Sequence, residues 1–358
     1  MPKRPTLEDV ARLAGFSITS ASMALSDSPR VADTTKVLVR AAAADLGYVP
    51  HSAGRALRSQ RVGAVAVVVP HSTRHVFAHP TLLDLLEGIT SVANENDVIT
   101  ILSTSETEED EESAYLRIMR GRRADGVIIA AAASTDTHAV QLARAGYPIV
   151  VVGRAPAMST LTTVGVDDFA GAQLATRHLI TAHKAKRIAH VSGPLRHQSA
   201  ADKRDGYVSA LKEAGLSLDP RLQFEGDYSE ESGVAAAAAL LPFVHKFDAV
   251  FLANDQMAIG AMQAFRDAGV EIPRDLAVVG YDNHPFTRYA EPAITTVSAD
   301  MVGVGSLAAE RLLSLIDSDV YPTSNTILPT ELVIRASCGC NSPRSTDQAI
   351  PPFDGGTP

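Results

Sequence analysis

From Val62 onward, short apolar runs bounded by turn residues alternate with amphipathic stretches, and this alternation restricts the fold more than any other feature. The runs occupy residues 65–69, 98–102, 127–130, 149–152, 188–191, 250–253 and 276–280. Between them lie helical patterns at 82–94, 114–120, 170–181, 204–214, 233–241, 258–268 and 304–316. A strand apolar on both faces followed by a helix apolar on one is half of a βαβ unit, so the pattern predicts parallel sheets with helices on both faces. There are enough units for two lobes, and such sheets bind ligands beyond the carboxyl ends of their strands. A length of 358 residues exceeds what a single core supports and agrees with more than one domain.

The first sixty residues follow a different pattern. In Thr6-Leu7-Glu8-Asp9 a hydroxyl stands at a helix start with a carboxylate three residues on, the spacing at which each satisfies an orphan backbone donor. The apolar stripe Leu7, Val10, Ala11 and Ala14 stops at Gly15, a residue suited to the left-handed turn that ends a helix. Ser17 then caps a second helix. A third is predicted over 33–46, carrying Val37, Leu38, Ala41, Ala42 and Leu46 onto Ala21, Ala24 and Leu25, and ending at Gly47. Two short helices joined by a glycine turn form an all-α helix-turn-helix head, whose second helix fits the major groove of DNA. A short helical pattern over 51–59 is too small to fold alone, and its Leu57 reads as a minor-groove wedge or as a linker leucine.

Charge separates the same two regions. Up to Arg61 there are nine basic and five acidic residues, a head of +4, beside a body of −13 within a total of −9. A basic end on an acidic chain localises polyanion contact to that end. The only cysteines, Cys338 and Cys340, are two apart, too close for an ordinary disulfide and too few for a zinc site, and read as incidental. No metal or cofactor is expected. Glu8 and Asp9 interrupt any export signal and no apolar run is long enough to span a bilayer, so a cytoplasmic protein is expected.

With these segments placed, the sequence resembles the LacI/GalR family of bacterial regulators along most of its length, up to about Ser337. The resemblance rests in the head on Thr6 to Ala11, Gly15-Phe16-Ser17, Ser28-Pro29-Arg30-Val31 and Leu46-Gly47-Tyr48-Val49-Pro50. In the body it rests on Asp125-Gly126-Val127, Val166-Asp167-Asp168, Gly206-Tyr207, Ala253 to Ala258, Val279-Gly280-Tyr281-Asp282 and Thr295-Thr296-Val297, in the family's order. It implies a helix-turn-helix domain over 1–50, a hinge over 51–61 and a periplasmic-binding-protein-like body of two lobes over 62–340, and the stretch 341–358, rich in Pro, Gly, Ser and Asp, is read as a disordered tail. It implies a ligand-responsive repressor that binds a palindromic operator as a homodimer and is controlled by a sugar or sugar derivative between the lobes. The tail has no leucine heptad of the kind that builds tetramers.

The resemblance places Thr6, Ser17, Ile18, Thr19, Ser22, Met23, Arg30, His51 and Leu57 at DNA-contacting positions, with Ile18, Thr19 and Met23 at base edges. Family members often carry Arg where Met23 stands; losing one bidentate grip on guanine removes about 1–3 kcal/mol of discrimination, so an atypical half-site is expected. Two further departures are Ala32 in place of a hydroxyl cap and Gly54 in place of Ala in the hinge, the latter costing about 0.5–1 kcal/mol of helix stability. For the effector the resemblance assigns Lys203, Tyr228, Asn254 and Asp282, a set whose carboxylate, amide and ring suit a polyol, although Lys203 replaces the usual Arg and cannot form a planar fork.

One stretch falls outside the resemblance. His71, His75 and His79 recur every four residues, which on a helix would make a metal-binding face. Pro70 and Pro80 and the lack of a carboxylate favour a solvated loop at the cleft mouth. Two rival functions compete with a regulator. An enzyme has only the letters Gly303-Val304-Gly305-Ser306-Leu307-Ala308 in its favour, a dinucleotide fingerprint without a clear apolar strand before it. A sugar-binding receptor without DNA function shares the two-lobed body but leaves the head unexplained.

Overall fold

Thr6 opens the first helix with the reciprocal bonds that its sequence suggests. In α1 (Leu7–Ala14) the Asp9 amide donates to Thr6 Oγ1 at 3.3 Å, and the Thr6 amide donates to Asp9 Oδ2 at 3.0 Å. Gly15, at φ +75°, ends α1, and Ser17 caps α2 (Ile18–Leu25) by accepting from the Ser20 amide at 3.0 Å. Helix α3 (Asp33–Leu46) starts at Ala32 without a side-chain cap and ends at Gly47, φ +62°. Its phase differs from the expected one. Val39, Ala42 and Ala43 are buried against Val10, Ala11, Ala21 and Ala24, whereas Val37 and Leu38 are 64% and 56% exposed. A buried stripe needs the spacing i, i+3, i+4, i+7, which 39, 42, 43 and 46 satisfy and 37 and 38 do not. Lys36 and Arg40 hold α3 to the preceding turn through Asp27, at 3.1 and 2.8 Å.

The computed structural model describes residues 5–48, 61–69, 73–104, 117–130, 138–154, 160–318 and 323–340. The chain divides into two compact units at Gly63. His51, Leu57, Gly54 and the tail from Asn341 lie outside the described residues.

The second unit contains two six-stranded sheets. In the first the order is β2 (Ile99–Thr104), β1 (Ala64–Val69), β3 (Gly126–Ala130), β4 (Ile149–Val152), β5 (Thr162–Val166) and β11 (Asn325–Leu328), with every pair parallel. In the second it is β7 (Gln223–Glu225), β6 (Ile188–Ser192), β8 (Ala249–Leu252), β9 (Ala277–Asp282), β10 (Thr295–Ala299) and β12 (Thr330–Val333), of which only β12 is antiparallel. The helices are α4 (Thr73–Ala78), α5 (Pro80–Glu95), α6 (His138–Arg144), α7 (Asp168–His183), α8 (Gln198–Glu213), α9 (Glu230–Leu240), α10 (Asp255–Asp267) and α11 (Met301–Ile316). A separate apolar cluster covers each face of each sheet, as the continuous apolar runs require.

The chain passes between the lobes after β5, after β10 and after β11. Two of these crossings are bonded together, since the Asp167 amide donates to the Leu328 carbonyl at 3.0 Å and Thr330 Oγ1 to the Asp167 carbonyl at 3.3 Å. Gly305 of the fingerprint-like segment serves packing here. A strand, β10, precedes the segment, but Thr295, Thr296 and Ser298 keep it from being the clear apolar strand of a fingerprint. A Cβ on Gly305 would meet the Leu85 carbonyl at 2.2 Å and one on Gly88 the Val302 carbonyl at 2.0 Å, so these glycines let α11 and α5 approach closely.

Candidate functional site

Both sheets direct the carboxyl ends of their strands into one cleft of about 420 Å³, near the small end of ligand sites, which span roughly 300–1,000 Å³. Lys203, Tyr228, Asn254 and Asp282 all line it. Their surroundings divide them into a contact surface and its supports. Tyr228 follows β7 with φ +72°, a backbone conformation rare outside glycine. Asn254 holds it there: the amide Nδ2 donates to the Tyr228 carbonyl at 2.9 Å, while Oδ1 accepts from the Met257 amide at 2.9 Å and caps α10. The ring lies over Gly193, where a Cβ would meet Tyr228 Cζ at 2.0 Å.

Lys203 is buried and engaged with protein groups. Its Nζ donates to the Ala253 carbonyl at 3.2 Å, stands 3.5 Å from Asp168 Oδ1 and lies 3.8 Å above the Tyr281 ring. Burial pulls its pKa down, but Asp168 and Asp282 outweigh that and keep the ammonium charged. Asp282, at φ +104°, accepts at Oδ2 from Thr81 Oγ1 at 3.1 Å. The next turn is fixed from beneath by Arg335, whose guanidinium donates to Asn283 Oδ1 at 2.6 Å and to the Ile294 carbonyl at 2.7 Å. Asp255, behind the site, accepts from the His284 amide at 3.0 Å and from Thr296 Oγ1 at 2.6 Å; burial, then the nearby Asp282, push its pKa up to about 8.

Several lining residues escaped the sequence reading. Arg154 follows β4 in the first lobe, and its Nε donates to Asp202 Oδ2 on α8 of the second at 2.7 Å, a two-point pair completed by the second guanidinium nitrogen and Oδ1. His79 was expected in a solvated loop. Instead residues 73–78 form a helical turn, and His79 is buried with Nδ1 at 3.0 Å from Gln256 Oε1. Burial lowers its pKa. Pro194, Arg196, His197, Gln198 and Ser199 follow β6 and open α8. The available signal was positional, because Gly153-Arg154 and Ser192-Gly193-Pro194 each sit where an apolar strand ends.

Comparison with known proteins agrees with this architecture. Residues 6–51 match the family described as bacterial regulatory proteins, lacI family, and residues 176–338 match the periplasmic binding protein-like domain. The HTH-type transcriptional regulator CelR of Thermobifida fusca is 34% identical over 340 residues, covering 94% of this chain and 98% of that protein. The chain belongs to the lacI family of regulators. The regulator GalR of Escherichia coli is 29% identical, over 96% of this chain and 98% of that one. Among solved structures, a CelR–cellobiose complex aligns with a TM-score of 0.73 at 32% identity, over 93% of this chain and 100% of that one. A lac repressor dimer bound to operator and the anti-inducer ONPF aligns with a TM-score of 0.83 at 27% identity, over 94% and 99%.

In the regulator's head, Ile18 is 50% exposed at the first turn of α2 with Thr19 exposed beside it, while Ser22 and Met23 are half-buried on the next turn. Ala21 and Ala24 take the inward positions. Thr6, Ser17 and Arg30 are exposed. No described helix is long and apolar enough to cross a membrane.

Proposed function

We propose that this lacI-family regulator is a cytoplasmic repressor whose homodimer grips a palindromic operator and whose grip is set by a neutral carbohydrate in the cleft. The carrying observation is how the cleft's charges are engaged. Lys203 is matched by Asp168 and a carbonyl, and Arg154 by Asp202, so these cations are poor anchors for an anionic ligand. The rest of the lining offers the Tyr228 ring, the Gln198 amide, hydroxyls and the acceptor oxygens of Asp282 and Asp227 beside the guanidinium of Arg196, and the ring, hydroxyls and acceptors match a polyol with one apolar face. The likeness to a CelR–cellobiose complex and to a lac repressor dimer on operator supports the same reading. The site binds its ligand and does not convert it: Lys203 and Asn254 are occupied as structural partners and leave no activated nucleophile among them.

On the DNA side, Ile18, Thr19 and Met23 read base edges, while Thr6, Ser17, Ser22, Arg30, His51 and Leu57 place the head and kink the site. Operator selection from random duplex tests this, with a palindrome lacking the guanine contact as the expected result; a guanine demanded opposite Met23 in every half-site would sink it. Calorimetry with a panel of neutral mono- and disaccharides against their phosphorylated forms tests the effector. Preference for the phosphorylated sugars would overturn the neutral assignment.

A further inference from the structure

The sequence counted two cysteines and judged them too few for a metal, but the fold adds two imidazoles. His178 and His183, the latter the last residue of α7, meet Cys338 and Cys340 from the segment beyond β12, and the four ligand atoms all lie within 4.8 Å of one another. His178 Nε2 is 3.4 Å from Cys338 Sγ, 3.7 Å from Cys340 Sγ and 3.3 Å from His183 Nε2; His183 Nε2 is 3.3 Å from Cys340 Sγ. Hydrogen bonding does not account for this convergence. A neutral imidazole Nε2 has either one proton or one lone pair, so it serves one partner, and here it faces three. A tetrahedral Zn²⁺ with bonds of roughly 2.3 Å to sulfur and 2.0–2.1 Å to nitrogen requires edges of about 3.3 Å between nitrogens and about 3.5 Å between nitrogen and sulfur. The recorded spacings match those edges.

We infer that His178, His183, Cys338 and Cys340 form a structural Cys₂His₂ zinc site that fastens the C-terminal segment to the second lobe. Two thiolates balance the ion's charge, so a partly buried site carries no net charge. Thr295 Oγ1 donates to Cys338 Sγ at 3.1 Å, the kind of outer bond that orients and stabilises a ligating thiolate. Gly339, at φ +88°, makes the tight turn that points both sulfurs the same way, and its amide donates to the Ala336 carbonyl at 2.9 Å. Four protein ligands leave no open position, so the role is to hold structure and not to catalyse. The ion joins α7, which follows the first lobe crossing, to the chain beyond the third.

The test uses the full chain under reducing conditions. Elemental analysis of protein purified without added metal should give one zinc per chain. After chelation, Co²⁺ titration should produce the strong visible bands of a tetrahedral site together with thiolate charge transfer, saturating at one equivalent and displaced by Zn²⁺. Chelation should lower Tm, and Zn²⁺ but not Mg²⁺ should restore it. Cys340→Ser and His183→Gln, both at half-buried positions, should lose the cobalt spectrum. An as-purified chain without zinc that also gives no thiolate–cobalt band would overturn the site, as would full binding retained in both variants. A Cys338–Cys340 disulfide that resists reduction would overturn it too.

Discussion

The two lobes share a topology but divide the work of the cleft unequally. The second supplies eleven of the seventeen lining residues, including the ring of Tyr228 and both acceptor carboxylates, and it carries the buried network of Asp255, Thr296 and Arg335 beneath them. The first contributes His79, Thr81, Leu82 and the Val152–Arg154 strand end. Most of its polar atoms there meet the opposite lobe: Arg154 meets Asp202, Thr81 meets Asp282, and His79 meets Gln256. On the proposed reading, recognition sits in the second lobe, and the first is the cover whose closure the ligand adjusts. Two domains that touch mainly through polar pairs are expected to move relative to each other.

The sharpest way to break that comparison is to unsettle the second lobe's core. His190 lies in β6 between the rings of Tyr207 and Phe251, at 4.8 and 5.0 Å, with Nδ1 donating to the Phe251 carbonyl at 3.0 Å. Burial lowers its pKa to about 4. The unfolded chain takes up the proton near pH 6.5 and the folded chain resists until about 4, so stability is full above 6.5 and is lost as pH falls through that window. The expected loss is about 3 kcal/mol. Urea titrations across the window should show it, and the difference between wild type and His190→Phe isolates this residue from the acid response of the carboxylates. Parallel curves would refute the assignment.

Nearly as large is the effect expected on binding from Gly193→Ala. The new Cβ would stand 2.0 Å from Tyr228 Cζ, and the ring cannot yield easily because Asn254 holds its backbone. Effector affinity should fall about 100-fold, close to 2.7 kcal/mol. By contrast Tyr228→Phe removes only a 3.5 Å contact with Ser199 and should change affinity less than about threefold. Equal losses in the two variants, measured by calorimetry, would mean that the hydroxyl and not the ring face does the recognising.

Strands within the two sheets also differ in what the sequence could reveal. Strands buried on both faces announced themselves as Val and Ile runs, as in β1 and β3. Strands β5 and β10 did not, because Thr163, Thr295 and Thr296 interrupt the apolar pattern, and their hydroxyls find partners only in the folded chain, at Asn325, Cys338 and Asp255. The phase of α3 was misread because Val37 and Leu38 look like core residues until Val39 and Ala43 take the inner face. At the site, family likeness located Lys203, Tyr228, Asn254 and Asp282, but nothing in spacing reveals that Lys203 and Asn254 are already engaged by their neighbours. His178 and Cys338 are 160 residues apart, so no short motif could connect them.

Smaller effects should follow from loosening the cover. Arg154→Gln breaks the two-point pair with Asp202, whose carboxylate is 7% exposed and keeps one bond, from Gln198 Nε2 at 2.8 Å. Arg154 itself is half exposed, so solvent screening limits the loss to roughly 1 kcal/mol, about fivefold in effector affinity.

Gln256 tests the opposite edge. One side-chain amide spans the lobes twice, with Nε2 donating to the Ala78 carbonyl at 2.9 Å and Oε1 facing His79 Nδ1 at 3.0 Å. Both bonds are between neutral groups, and the first is exposed, so together they contribute about 0.7 kcal/mol to closure. Gln256→Leu keeps the bulk and removes both, and affinity should fall about threefold, mostly through faster dissociation. Arg154 and Gln256 clasp the same cleft through different residues. If they act on one opening equilibrium, the doubly substituted chain should lose less than the two single losses combined, because a cover already released by one change has little left for the second to release. Simple additivity in stopped-flow dissociation rates would mean that each clasp restrains its own local segment, and the single rigid cover would have to be abandoned.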